Sequence, residues 1–183
     1  IYMKKKSITL ICFFSLFIPF FLFNPIITWD TAHYFSFIEI FEGAAPFSSW
    51  DIVRGPVFPL IIHISNILFG KTVQGLLILT FLFYIIMIWG CNKTLKVILT
   101  NEKNEKLKKT IYIVTMSLII FNPIIFGYYH SILTEFVAMT LSVVMCYFSY
   151  RWLEYDFFKT RKKYLLSTII FAILTVFAWY LKQ

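Results

Sequence analysis

Four acidic residues and one arginine gather between Thr28 and Ile61, in "TWDTAHYFSFIEIFEGAAPFSSWDIVRGPVFPLI", with long apolar runs on both sides. A carboxylate held beside a hydroxyl can remove its proton, and a guanidinium grips phosphate through paired N–H groups. If residues 30–42 form a helix along a membrane surface, Asp30, His33, Tyr34, Phe37 and Phe41 share one broad face. Glu39 and Glu42 then point toward water, and with Asp51 they keep the segment wet. Arg54 precedes Gly55 and Pro56, and proline suits the first position of a helix. Its guanidinium faces either a lipid phosphate or the Asp51 carboxylate. Farther along, "YYHSILTE" sets His130 and Glu135 at the head of an apolar helix, and Lys182 ends the last apolar run. A carboxylate at the edge of hydrocarbon is costly, which marks Glu135 as a functional candidate.

Each of these residues has a plainer role open to it. Asp30 can cap a helix, Glu135 can complement a helix dipole, and Lys182 can snorkel to an interface. His33 and His130 can be interfacial hydrogen-bonding groups. The other possibility is a divalent cation held by Asp30, Glu135 and His130, with His33 beside them. The cysteines, Cys12, Cys91 and Cys146, form no metal-ligand spacing and read as small apolar filler.

The elements that must position these groups are apolar. Of 183 residues, 60% are hydrophobic and only 14% charged, and phenylalanine alone occurs 22 times. Such a chain has too little polar surface to face water all round, so the expected class is an all-α polytopic membrane protein. The formal net charge of +8 sits in short clusters between apolar runs, a pattern of membrane orientation and not of nucleic-acid binding.

Three lysines, Lys4 to Lys6, precede an apolar run of about 21 residues from Ser7 to Ile27, expected to be a retained first helix with a cytoplasmic N-terminus. Four more spans are expected, at about 73–92, 111–128, 133–150 and 164–181. Residues 57–69 are too short to cross and read as re-entrant or interfacial. Charge agrees with that choice. The 92–110 loop has six lysines against two glutamates, and the 151–163 loop has five basic residues against two acidic ones. If 57–69 does not cross, both loops join the N-terminal lysines in the cytoplasm, and 14 of the 17 Lys and Arg lie there. The 28–72 loop, with its interfacial helices, Glu135 and Lys182 then share the outer face. The chain is read as one transmembrane domain, 1–183, with no soluble domain.

The motifs resemble the N-terminal part of the GT-C membrane glycosyltransferases, most closely the protein mannosyltransferase and aminoarabinose transferase branch. The resemblance rests on "WDTAHY" after the first helix, "RGPVFPLI", "ILTEFVAMTL" with Glu135, and "WYLKQ" with Lys182. Thr31 stands where that family often has a second acidic residue, and Glu135 where aspartate is commoner. The chain stops where members continue through further helices, so the resemblance implies a piece of a longer protein. It also implies transfer of a sugar from a polyprenyl-phosphate donor to a glycan, lipid or protein acceptor outside the cytoplasm. Asp30 is then the general base, Glu135 positions the acceptor or holds a metal, and Arg54 or Lys182 meets the phosphate. His33, Tyr34 and His130 join the substrate-binding face. Two other classes remain open: a non-catalytic or truncated membrane subunit, and a transporter or flippase-like protein. Transport needs polar groups near helix midpoints, and those positions are apolar.

Overall fold

The structure is a computed structural model, and it describes residues 18, 20–27, 29–46, 48, 55–131, 134–154 and 161–181. Most of the expected first span, together with Asp51, Arg54 and Lys182, lies outside the described residues. So does the side chain of Asp30, whose backbone is described.

The described chain is all-helical. Seven α-helices follow one another: α1 Trp29–Phe41, α2 Val57–Phe69, α3 Val73–Ile98, α4 Glu105–Ile120, α5 Pro123–His130, α6 Thr134–Glu154 and α7 Arg161–Leu181. Polar residues at the helix starts explain several boundaries. Thr72 is extended and its hydroxyl accepts from the Gly75 N–H at 3.0 Å, starting α3. Asn104 accepts from Lys106 and Leu107, both at 3.1 Å, and starts α4. Asn122 accepts from Ile124 and Ile125, with Pro123 opening α5.

That last cap overturns one expectation. Residues 111–128 do not form one straight helix: α4 and α5 meet at 42° across Phe121 and Asn122. Pro123 has no N–H to continue the α4 ladder, and Asn122 serves the next turn instead. Among the described residues, one helix, Val73–Asn101 with its terminal 3₁₀ turn, is long and apolar enough to cross a membrane, and the bent α4–α5 pair qualifies as a second only if taken as one span. Five separate spans are therefore not what the described helices display. The 13-residue helix α2 has the bounds expected for the short, non-crossing segment.

α3 is central and packs against α2, α4, α5 and α6, while α7 lies mainly against α6 and α1 against α2. Phe83 meets Phe136, and farther along Gly90 meets Val143 and Trp89 meets Tyr147. Contacts that advance together on both helices mean that α3 and α6 run parallel. The crossing is tightest at Gly90, where an added Cβ would lie 2.8 Å from Val143 Cγ1. The interior is aromatic, built on Phe20, Phe58, Tyr84, Tyr129 and Phe136, each fully buried. Polar groups at its centre are paired with one another or with the backbone. The Tyr129 hydroxyl joins Thr140 Oγ1, Thr140 bonds the Phe136 carbonyl, and the Tyr84 hydroxyl donates to the Ile120 carbonyl at 2.7 Å. This last bond serves a carbonyl freed at the α4–α5 bend. Much of the outer surface is large and apolar: Leu118 and Ile124 are each 68% exposed, and Leu166, Ile169 and Val176 each more than half exposed.

Candidate functional site

Because α3 and α6 are parallel, their N-termini share one end of the bundle, together with α1 and α2. The opposite end carries the lysines of 93–109, Arg151 and the basic start of α7. Described acidic residues at the first end are Glu39, Glu42 and Glu135.

Two bonds centred on His130 join distant segments there. Its carbonyl accepts from the Ile26 N–H at 2.9 Å, a parallel pairing in which Ile26 lies against Ser131. Its ring Nε2 lies 2.8 Å from the Phe20 carbonyl. A carbonyl only accepts, so Nε2 carries the hydrogen and donates. The ring is 4% exposed, stacked on Phe126 and tilted against Phe20. These contacts bring the segment that leads into "WDTAHY" against the loop that leads into "LTE".

An aromatic run continues the connection. Tyr34 on α1 meets Phe58 on α2 edge-on at 4.8 Å, and Phe58 meets Phe136 on α6 at 5.8 Å. Asp30 lies one helical turn before Tyr34, and Glu135 directly precedes Phe136. The starts of α1 and α6, which bear the two expected catalytic carboxyl groups, are thus held by the same packing. Glu135 is partly buried and accepts from Thr134 Oγ1 at 3.3 Å.

The inward face of α1 is rotated slightly from expectation. Thr31, Tyr34, Phe37 and Ile38 are buried, whereas Phe41 is 37% exposed and stacks on His63 of α2. Ile38 takes the inward place expected of Phe41, which lies at the rim of the α1–α2 contact. His33 is half-buried with its ring edge-on to Phe37.

Of the proposed cation ligands, His130 and Glu135 have described side chains, and that of Asp30 lies outside the described residues. The Nε2 of His130 is engaged by a buried carbonyl, and among the described residues no group of three or more His, Cys, Asp or Glu is placed to share an ion. The buried bond of His130 leaves its Nε2 unable to ligate an ion, and the chemistry considered below passes through no metal.

A different constellation emerges at the same end, which the sequence reading left in water. A cleft of about 380 Å³ opens between α1, the loop before it and the α2–α3 turn. Its polar lining is Glu39, Glu42, Asn66, Lys71 and Thr72, and its apolar wall includes Ile27, Phe35, Ile38 and Leu76. Lys71 Nζ lies 2.6 Å from Glu42 Oε2, and His63 Nδ1 lies 3.9 Å from Glu42 Oε1. His63 Nδ1 is buried with no hydrogen-bond partner among the described residues. The tight turn that delivers Lys71 needs Gly70, at φ 78°, a conformation other residues rarely adopt. The Ser65 hydroxyl donates to the Gly75 carbonyl and ties α2 to the start of α3. Glu42 and Lys71 are 29 positions apart, so no local pattern announces the pair. The available sign was Lys71 itself, the one lysine in the acidic 28–72 segment.

Comparison with known protein families, curated proteins and solved structures returns no match.

Proposed function

We propose that the chain is the N-terminal part of a GT-C-type membrane glycosyltransferase, transferring a sugar from a polyprenyl-phosphate donor to an acceptor hydroxyl outside the cytoplasm. The observation that carries the reading is the pairing of Ile26 with His130 and Ser131. It holds the beginnings of α1 and α6 at one end, so residues far apart in sequence can serve one reaction. The separation of charge supports the membrane part: basic residues gather at one end, and large apolar side chains are exposed along the helices between. Groups so exposed are stable in lipid and costly in water. In this reading the chain crosses the bilayer several times, with α6 and α7, 21 residues each, long enough to do so.

Asp30 then removes the proton of the acceptor hydroxyl as it attacks the anomeric carbon, and the polyprenyl phosphate leaves with the bond electrons. Arg54 and Lys182 are the cations offered to that leaving phosphate. Glu135 orients the acceptor, with Tyr34 and His33 as the neighbouring wall. His130 acts through its hold on residues 20–26, as a positioning residue.

The test uses the full-length protein in lipid nanodiscs with radiolabelled polyprenyl-phosphate hexoses and pentoses and a membrane-lipid acceptor. Label should reach the acceptor with the native protein and fall by at least about 100-fold with Asp30→Asn, the size of a general-base contribution, while helix content and thermal stability stay unchanged. Full transfer by Asp30→Asn would remove that residue from the chemistry. No transfer by the native protein with any donor would instead favour a non-catalytic membrane subunit.

A further inference from the structure

The Glu39–Lys71 cleft has an ordered polarity that the transfer reaction does not use. Glu39 and Glu42 stand where α1 ends, and the last carbonyls of a helix are themselves negative. Two carboxylates there oppose the helix dipole, a cost with no return inside the fold for Glu39, whose carboxylate has no partner among the described residues. Its main-chain carbonyl is occupied, accepting from Ala44 and Ala45. Lys71 lies across the cleft, just before the first turn of α3, where potential is positive. The cleft thus sets the open Glu39 carboxylate beside the Lys71 ammonium, which gives one N–H to Glu42 and keeps two for a second anion, over an apolar floor that includes Phe35 and Leu76. Glu39, Glu42 and Lys71 line the same cleft, so a small ligand seated there meets the open carboxylate and the Lys71–Glu42 pair together.

We infer that this cleft binds the head group of an ethanolamine-type zwitterionic phospholipid, its primary ammonium on Glu39, its phosphate on Lys71, and its acyl chain along Phe35, Ile38 and Leu76. A primary ammonium donates hydrogen bonds to a carboxylate, and a trimethylated one does not. A phosphoglycerol head group offers the phosphate without the cation. The neighbouring surface suits the arrangement, since Ile67 and Leu68 on α2 are 69% and 66% exposed beside Asn66. The inference rests on the membrane reading but not on the transfer reaction.

Its test is native mass spectrometry of the detergent-solubilised protein with phosphatidylethanolamine, phosphatidylcholine and phosphatidylglycerol of identical chains. Phosphatidylethanolamine should be retained about tenfold over each of the others, the ratio that about 1.4 kcal/mol gives. Glu39→Gln should erase the preference over phosphatidylcholine, and Lys71→Gln should weaken all three lipids. Glu39 is exposed and unpaired in the described chain, so its variant keeps the fold even if the Lys71 variant does not. Equal retention of the three lipids, or a preference unchanged in Glu39→Gln, overturns the inference. Loss of sugar transfer without loss of lipid preference leaves the inference standing and sinks only the enzymatic reading.

Discussion

His130 is the residue whose role changes most between sequence and structure, and removing it has a calculable effect. His130→Ala deletes the Nε2 donor and leaves the Phe20 carbonyl without its partner in a buried place. An orphaned buried acceptor costs about 1–3 kcal/mol. The ring also stacks on Phe126 at 5.2 Å and tilts against Phe20 at 5.1 Å, and such aromatic pairs contribute about 0.5–1.5 kcal/mol each. Since these terms share one side chain and do not add fully, the expected destabilisation is about 2–4 kcal/mol. For a chain of this size that lowers the melting temperature by roughly 4–16 °C. Thermal unfolding of purified protein, followed by circular dichroism in detergent, measures it. His130→Gln should recover part of the loss, because its amide N–H can reach a carbonyl. If His130→Ala melts within about 1 °C of the native protein but loses substrate or metal binding, the positioning role is wrong and the ring is a ligand after all.

Other outcomes follow from the same packing. Gly90→Leu places its Cβ into Val143, so α3 and α6 must separate; a loss of about 1–3 kcal/mol is expected in the same melting assay. Asn122→Ala removes the cap of α5 and should cost about 0.5–2 kcal/mol, whereas Asn122→Asp should keep most of it. Ser36→Cys on α1 and Lys106→Cys on α4 should label from opposite sides of sealed vesicles with a membrane-impermeant maleimide. Labelling from the same side would contradict the proposed topology.

The short helix at Val57–Phe69 and the helix at Trp29–Phe41 were legible because length, proline and apolar spacing are local properties. The break at Asn122–Pro123 was equally local, since an Asn-Pro pair favours ending one helix and starting another. The apolar run continues through it, so length alone predicts one helix where the dipeptide predicts two. Glu39 and Glu42 illustrate a different limit. Their exposure was anticipated correctly, yet exposure on one helix does not reveal that a turn 29 residues later brings a lysine to Glu42. His130 fails for the same reason in reverse: its partner, Phe20, is 110 positions away, and its carbonyl offers no side-chain pattern to recognise. Local patterns give helices, whereas sites made by pairing remote segments need the fold.

The His130 junction also orders events during synthesis. Residues 20–26 emerge early, but the groups that fasten them emerge a hundred residues later. Until α5 is in place, the segment ahead of α1 has no partner for the Ile26 N–H and no donor for the Phe20 carbonyl. Such a long-range closure forms late, because chain entropy must be surrendered before the contact compensates for it. A ribosome-bound chain ending before Pro123 would thus hold residues 20–26 by side-chain packing alone, without these two bonds, and a protease added to stalled chains should cut within 23–27 faster than once Ser131 has left the ribosome.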